Sequence, residues 1–335
     1  MIGAAARSLY RWTAQGCADA LVRVPAVEPL FVGIGSRVAD RPGIGRFYRS
    51  VASRYAERLR RAGSPYRRMP IAGEPMTVDI TEFTTHDLYF NRQRYEPRTT
   101  DFLVESLEPG DVFVDIGASH GYFTLIAASR VGPAGRVYAF EPNPPVFRQL
   151  ADHVRLNGFD DRVRLADIAL ADTNGEATFF VSRCATNSGL SSLKVTEQRV
   201  RDGVLSTQHS VRVAAETFDR WYGRTNPGPI AVVKIDVEGA EDRVFDGMTT
   251  ALHSGAIRSI VCETEWDGGV PDRLAAFGYV ARPLESTAGY TNLVFTRARP
   301  GNDPEGTQRP RRPLRNEFFL CVLCGLCVQS WTFAL

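Results

Sequence analysis

Short apolar runs alternate with helical patterns through the middle of the chain. The runs predict buried strands, and the segments between them repeat apolar residues at helical spacing. The predicted strands are Val112–Ile116, Arg136–Phe140, 162–170, 230–236 and 257–263. The predicted helices are 122–130, 146–157 and a segment from the fourth strand to about His253. This alternation predicts an α/β fold, a mostly parallel sheet with helices on both faces.

The pattern changes inside this region and after it. Residues 177–181 and 210–213 resemble antiparallel strands around the polar stretch 186–192. That stretch is a candidate lid over a substrate, with a solvated loop as the alternative. Residues 270–296 are expected to add a helix and two closing strands.

The N-terminal region is basic and helical in pattern. Phe47, Val51, Tyr55 and Leu59 recur every four residues, which predicts an amphipathic helix. We expect this helix to pack on a domain edge, and a membrane-surface helix is the alternative. The whole chain is then divided into three predicted parts. These are a basic extension (1–68), a catalytic domain (69–297) and an Arg/Pro-rich linker with an apolar tail (298–335).

Composition and the distribution of charge limit the possible substrates. Apolar residues make up 44% and charged residues 23%, as in ordinary globular domains. Residues 1–68 hold 13 arginines against 4 acids, whereas residues 69–296 hold 21 basic and 31 acidic residues. Because the basic charge lies outside the predicted catalytic core, a nucleic-acid substrate is not expected.

The cysteines and the apolar runs bear on where the protein acts. Six irregularly spaced cysteines favour reduced thiols in a cytoplasm over a disulfide framework. No transmembrane segment is predicted, while peripheral membrane contact by the N-terminal helix or the C-terminal tail stays open. Cys321, Cys324 and Cys327 are spaced by three in that tail, without a fourth ligand at the spacing of a metal site. Their role stays open.

A glycine turn follows the first predicted strand, in the run V-D-I-G-A-S-H-G-Y-F from Val114 to Phe123. Glycines let the backbone approach a ligand closely, and the helix that follows presents free N–H groups. The spacing is G-x-x-x-G, unlike the G-x-G-x-x-G of dinucleotide sites. Asp115, two residues before Gly117, suits a ligand with an ammonium group, as in S-adenosylmethionine. The candidate cofactor residues here are Asp115, Gly117, Ala118, Gly121 and Tyr122.

A second turn, F-E-P-N from Phe140 to Asn143, ends the next strand. An acid at this place accepts hydrogen bonds from the ribose hydroxyls of a nucleoside cofactor, about 20 residues after the glycine turn. Glu141, Pro142 and Asn143 are therefore candidate cofactor residues.

The run K-I-D-V-E-G-A-E, from Lys234 to Glu241, ends the fourth strand. Only two of the chain's 40 basic residues are lysines, and Lys234 stands among three carboxylates. Ligands of open parallel sheets bind at the carboxyl ends of the strands, so Asp236 and Glu238 are expected beside the reactive end of the cofactor.

Together these motifs resemble the FkbM family of S-adenosylmethionine-dependent methyltransferases, over residues 80 to 295. The matching features are Tyr95-Glu96-Pro97, the glycine turn, Phe140–Asn143, Leu156-Asn157, Ala169-Leu170 before Gly175, and Lys234–Glu241. The resemblance implies a Rossmann-like class I methyltransferase with a seven-stranded sheet, S-adenosylmethionine as cofactor, and O-methylation of a hydroxyl on a sugar, polyketide or other scaffold. It adds Glu96, Ile168 and Ala169 to the cofactor-binding residues. Ser119 and His120 depart from the family's glycine turn.

Methyl transfer to a neutral hydroxyl calls for a general base. The candidates are Asp236, then Glu238, then His120. Lys234 would either hold a carboxylate in place or stabilise the developing alkoxide. The residues leave three alternatives open: Mg²⁺ on Asp236, Glu238 and Glu263, a dinucleotide or nucleotide-sugar oxidoreductase, and a non-catalytic binding module. No metal ligand is assigned.

Overall fold

The computed structural model describes residues 4–92, 95–182, 191–201, 203–264, 269–286 and 291–297. The chain forms two compact units, Met1–Tyr95 (unit 1) and Glu96–Leu335 (unit 2). The boundary predicted after residue 68 therefore falls within unit 1. Cys184, Glu265, residues 186–190 of the predicted lid, and the tail with Cys321, Cys324 and Cys327 lie outside the described residues.

Unit 1 combines helices with one antiparallel hairpin. Its helices are α1 (Ala4–Arg23), α2 (Glu28–Gly35), α3 (Ile44–Arg61) and α4 (Phe83–His86), and its strands are β1 (Tyr66–Ile71) and β2 (Glu74–Asp79). Helix α3 is the predicted amphipathic helix, and Val51, Tyr55 and Leu59 on its apolar face are buried inside the unit. That face is therefore occupied by packing.

Unit 2 contains the predicted α/β domain. Its helices are α5 (Pro97–Ser106), α6 (Tyr122–Val131), α7 (Pro144–Leu156), α8 (Glu197–Arg201), α9 (Phe218–Thr225), α10 (Glu241–Asp246), α11 (Thr249–Ser254) and α12 (Val270–Ala275). Its strands are β3 (Val112–Ile116), β4 (Arg136–Phe140), β5 (Val163–Ala166), β6 (Ile168–Leu170), β7 (Gly175–Phe180), β8 (Ser210–Glu216), β9 (Ile230–Ile235), β10 (Ile257–Thr264), β11 (Tyr279–Ser286) and β12 (Thr291–Arg297).

Seven strands form the main sheet, in the order β11-β12-β10-β9-β3-β4-β5. Strands β10, β9, β3, β4 and β5 are mutually parallel, while β12 is antiparallel to both of its neighbours. All six residues of β9 are buried, as expected for a central strand whose two faces are covered. The predicted fold class is confirmed. The carboxyl ends of β3, β4, β9 and β10 lie at one edge, where the site is built.

A smaller three-stranded sheet has the order β6-β8-β7. The sequence predicted one strand over residues 162–170, but the chain changes sheets at Asp167: β5 pairs with β4, and β6 pairs with β8. The antiparallel pairing of β7 with β8 was predicted and is found.

The helix predicted from the fourth strand to His253 is also divided, into α10 and α11. The break falls at Gly247, where the backbone packs closely: a Cβ there would lie 2.0 Å from the carbonyl oxygen of Ala171. Within the described ranges, no helix is both long and apolar enough to cross a bilayer.

Candidate active site

The ends of β3 and β9 are fastened to each other. In the parallel register, Asp115 on β3 is the partner of Lys234 on β9. Beyond this pair, the amide of Asp236 donates to the carbonyl oxygen of Ile116 at 3.0 Å. The glycine turn and the K-I-D-V-E-G-A-E turn therefore leave the sheet side by side.

The two glycines of the first turn are required by close contacts. Gly117 has a φ of +81°, and a Cβ on it would lie 1.9 Å from the carbonyl oxygen of Asp236. Gly121 has a φ of +87°, and a Cβ on it would lie 2.6 Å from Cδ1 of Leu150. Both positions therefore require glycine, because of the positive φ and because a side chain would collide with its neighbours. The amides of Gly117 and Ala118 both donate to the carbonyl oxygen of Phe140, at 3.0 and 2.9 Å, which ties this turn to the end of β4.

Glu141 lies directly beyond that point and is only 6% exposed. Its Oε2 accepts from the amide of Ser119 at 2.9 Å, and its Oε1 accepts from the amide of Asn143 at 2.8 Å. Burial raises the pKa of Glu141 to about 7, although both hydrogen bonds lower it. Each carboxylate oxygen has a second lone pair, so the pair of oxygens can also accept from a ribose diol.

Asp115 is a deeply buried acid near the end of β3. It is 1% exposed, and its Oδ2 accepts from the hydroxyl of Thr124 at 2.6 Å. Its Oδ1 is buried and has no hydrogen-bond partner among the described residues. Burial raises the pKa of Asp115, and the charge of Lys234 opposes the shift. A buried acceptor of this kind calls for a donor from a ligand or water. These acceptors therefore fit S-adenosylmethionine, with Asp115 for its ammonium group and Glu141 for its ribose.

Lys234 is the positive centre of the site. Its Nζ lies 2.8 Å from Oδ2 of Asp236 and 4.6 Å from the centroid of the Phe123 ring. Burial by itself would lower the pKa of Lys234, but Asp236, Glu96 and Asp115 raise it above its ordinary value. The ammonium group therefore stays charged at neutral pH, which excludes it as a proton acceptor and suits it to hold Asp236.

Two further acids near Asp236 bind protons more tightly than usual. Glu238 has a φ of +57°, a conformation that a non-glycine residue adopts only under local constraint. Burial first, and the charge of Asp236 second, raise the pKa of Glu238 to about 7. The same two causes raise the pKa of Glu263 well above its ordinary value. Burial also raises the pKa of Glu241, which accepts from the amide of Gly239 at 2.9 Å and so has a structural role in the turn.

Two further predicted residues, His120 and Glu96, lie in different parts of the site. Nδ1 of His120 lies 3.1 Å from the hydroxyl of Ser119, and the charge of His120 acts on Glu141, so this side chain lies on the ribose side of the turn. Oε2 of Glu96 accepts from Asn292 at 2.7 Å, and the charge of Glu96 acts on Lys234, which groups it with the proposed catalytic residues.

Four predicted cofactor residues have mainly structural surroundings. The hydroxyl of Tyr122 lies 3.2 Å from that of Thr100. Pro142 is half-buried between Glu141 and Asn143. Ile168 and Ala169 lie on β6, paired with Ala214 and Ala215 of the smaller sheet.

The segment before α8 connects the Phe140–Asn143 turn with the Lys234–Glu241 turn. The sequence did not reveal this role. The hydroxyl of Ser191 accepts from Asn143 Nδ2 at 3.5 Å, and that of Ser192 donates to the carbonyl oxygen of Val237 at 3.1 Å. Arg199 on α8 then pairs with Glu238, with 2.5 Å between Nη2 and Oε2. The polar stretch was a predicted lid, but nothing in the sequence distinguished Arg199 from the other arginines.

The Mg²⁺ alternative has no matching geometry in this part of the chain. Across the described residues, no group of three or more His, Cys, Asp or Glu side chains is arranged to hold a metal ion. Of the three ligands considered for Mg²⁺, Asp236 and Glu238 are instead engaged with Lys234 and Arg199.

Residues 115–279 match the family model described as the methyltransferase FkbM domain. This domain belongs to the FkbM methyltransferase family. The match spans the glycine turn, Glu141 and the Lys234–Glu241 turn, and it confirms the expected family and, with it, S-adenosylmethionine as the cofactor of the domain. It also favours a methyltransferase over the oxidoreductase and binding-module alternatives.

Similarity to curated proteins is moderate. The chain is 31% identical over 162 residues to the hexuronic acid methyltransferase AglP of Haloferax volcanii, covering 48% of this chain and 59% of AglP. It is 27% identical over 237 residues to the AMB antimetabolite synthetase AmbE of Pseudomonas aeruginosa, covering 62% of this chain and 11% of AmbE. It is 25% identical over 193 residues to the 2-O-methyltransferase NoeI of Sinorhizobium fredii, covering 54% of this chain and 78% of NoeI. The chain thus spans less than two thirds of the first two relatives.

Proposed function

We propose that the protein is an S-adenosylmethionine-dependent O-methyltransferase whose acceptor is a hydroxyl on a sugar or a related small-molecule scaffold. The observation that carries this proposal is the Lys234–Asp236 ion pair beside the buried carboxyl group of Asp115, whose Oδ1 has no partner among the described residues. The end of β3 thus offers an acceptor for a cationic cofactor, and the neighbouring end of β9 offers a carboxylate base. The hexuronic acid and 2-O specificities in the names of AglP and NoeI support a hydroxylated carbohydrate as acceptor.

The residues divide the work of this reaction. When bound, S-adenosylmethionine supplies a methyl group already activated by the sulfonium. Asp115 and Glu141 hold the ammonium and the ribose, so the main contribution of the protein is alignment of the partners. Asp236 accepts the proton that the acceptor hydroxyl loses on methylation. Lys234 fixes the orientation of Asp236 through its 2.8 Å contact.

Glu238 is the second candidate for the proton acceptor. A base works best when its pKa lies near the operating pH, and the pKa of Glu238 is raised to about 7 by burial and by Asp236. Its pairing with Arg199 keeps it oriented but also occupies one of its oxygens. Asp236 therefore remains the first candidate for the base.

The test is a cofactor-binding measurement followed by an acceptor screen. Calorimetry with S-adenosylmethionine should show micromolar binding. The screen then offers labelled cofactor with free sugars, uronic acids and polyketide-like alcohols, each beside the same compound with its hydroxyls blocked. Methylation that disappears with the hydroxyl supports the proposal. Transfer that persists on blocked compounds or occurs only on amines contradicts O-methylation, and failure to bind the cofactor contradicts the enzyme itself.

A further inference from the structure

Unit 1 exposes apolar side chains on the outer side of α2. Leu30 and Ile34, one helical turn apart, are 62% and 56% exposed. Val24 and Val27, in the link between α1 and α2, are 50% and 43% exposed. On the other side of the helix, Val32 is buried in the unit. The apolar residues on the outer side are therefore additional to those that form the core.

Helix α1 adds two large side chains. Leu9 and Trp12 are 64% and 74% exposed, while Ala14, Ala18 and Leu21 form the buried side of the helix. An indole combines an apolar ring with one polar N–H, which suits it to a boundary between water and an apolar phase. We call the exposed set the α1–α2 face; it consists of Leu9, Trp12, Val24, Val27, Leu30 and Ile34.

The segment that carries the α1–α2 face has an excess of positive charge. Residues 1–68 contain 13 arginines and 4 acids. Among these arginines, Arg11, Arg23, Arg37, Arg41 and Arg46 are exposed. The excess of positive charge favours an anionic partner.

Three of the four acids of this segment are neutralised within the unit. Glu28, at the start of α2, is buried, and its Oε1 and Oε2 accept from Arg67 Nε at 2.9 and 3.1 Å. Asp19 pairs with Arg58, and Glu57 pairs with Arg61 at 2.9 Å. The fourth acid, Asp40, is exposed and is far outnumbered by the exposed arginines, so the exposed charge of this segment is mainly positive.

We propose that the α1–α2 face docks onto the surface of an anionic lipid bilayer. Apolar side chains that enter the headgroup region together with arginines that attract anionic lipid are the two features of a surface-bound helix. A second copy of the chain fits less well, because it would bring two strongly cationic surfaces together. A nucleic acid would use the arginines but would leave the six apolar side chains in water.

The test is sedimentation of the full chain with vesicles. One set is phosphatidylcholine with phosphatidylglycerol and the other is phosphatidylcholine alone. The wild type should bind the anionic vesicles, and binding should weaken at high salt. The double variant Leu30→Ser/Ile34→Ser should bind roughly tenfold or more weakly, because two aliphatic side chains no longer leave water. Arg37→Gln should weaken binding to anionic vesicles by roughly fivefold, the effect of one charge near such a surface.

A matched control removes exposed apolar side chains elsewhere. Leu156→Ser/Val211→Ser alters residues of unit 2 that are 44% and 38% exposed. It should bind vesicles as the wild type does, and unchanged thermal midpoints should show that both double variants are folded. The proposal is overturned if the wild type does not bind, or if Leu30→Ser/Ile34→Ser binds equally well. It is also overturned if sedimentation velocity shows a wild-type dimer that this variant turns into a monomer.

Discussion

Gly117 touches the backbone of Asp236, since a Cβ at position 117 would lie 1.9 Å from the carbonyl oxygen of that residue. Gly117→Ala should therefore disturb both turns and weaken cofactor binding and turnover together. We expect a loss of roughly 2–5 kcal/mol in unfolding free energy, from overpacking and from the positive φ. Gly158→Ala is the control, because Gly158 has a φ of +68° but a Cβ there would meet no heavy atom of the described residues within 4 Å. Equal decreases of the thermal midpoint in the two variants would show that the contact with Asp236 does not contribute to stability.

Asp236→Asn should separate binding from chemistry. The variant keeps the shape of the side chain but loses the proton acceptor, so kcat should fall by roughly 10²–10⁴-fold. The Kd for S-adenosylmethionine should stay close to that of the wild type. Asp242→Asn removes an exposed carboxylate of α10 and should leave both quantities unchanged. Full activity of Asp236→Asn would remove this residue from the mechanism.

Lys234→Met should destabilise the fold in a pH-dependent way. The substitution leaves buried carboxylates without their cation, which costs about 3–5 kcal/mol when one member of a buried pair is removed. Burial already raises the pKa of Asp115, and the loss of Lys234 raises it further. A carboxyl group whose pKa is higher in the folded state binds more protons there, so stability falls as the pH rises.

Urea unfolding of Lys234→Met and the wild type across pH 5 to 8 checks this prediction, with pH values chosen around the raised pKa values. The difference between the two proteins should be larger at the alkaline end. A difference that does not vary with pH would mean that Lys234 acts through packing against Phe123 alone.

Cofactor affinity should depend on the protonation of Glu141. Its pKa is raised to about 7 by burial, and a ribose diol donates best to the ionised form. The Kd for S-adenosylmethionine should therefore fall as the pH rises towards 7 and level off above it, with a slope of up to roughly tenfold per pH unit. Calorimetry on Glu141→Gln should show weaker binding without this slope. A slope that survives the substitution would assign the titration to another group.

Arg199→Ala should change how the enzyme responds to pH. Arg199 lowers the pKa of Glu238 against the effects of burial and Asp236, so its removal should move that pKa upward from about 7. The corresponding limb of the kcat/KM profile should move to higher pH, and kcat/KM for the acceptor should fall roughly tenfold, as for a lost charge-assisted hydrogen bond. Arg201→Ala, which breaks an exposed pair with Glu197 on the same helix, is the control. Identical profiles for the two variants would show that Glu238 does not govern that limb.

The strand ends were predictable because each motif carries its own local signal. Glycines at a strand–helix junction, and acids directly after apolar runs, placed Asp115, Glu141 and Asp236 at one sheet edge before any pairing was known. Arg199 could not be predicted, because it belongs to a short helix whose position depends on Ser192 and Val237 rather than on its own pattern. The boundary at residue 68 followed the change in charge, but that position lies within β1 of a hairpin.

The pairing of Asp115 with Lys234 has a consequence for how the chain folds. These partners belong to strands that are neighbours in the sheet, yet β4 to β8 lie between them in the sequence. During synthesis the glycine turn and Glu141 are complete while β3 still has an open edge, which β9 covers only later. Contacts of such high sequence separation slow folding, so the Lys234–Glu241 turn takes its place after the cofactor turns. Until then the nascent chain has an unpaired central edge, the kind of surface on which aggregation begins.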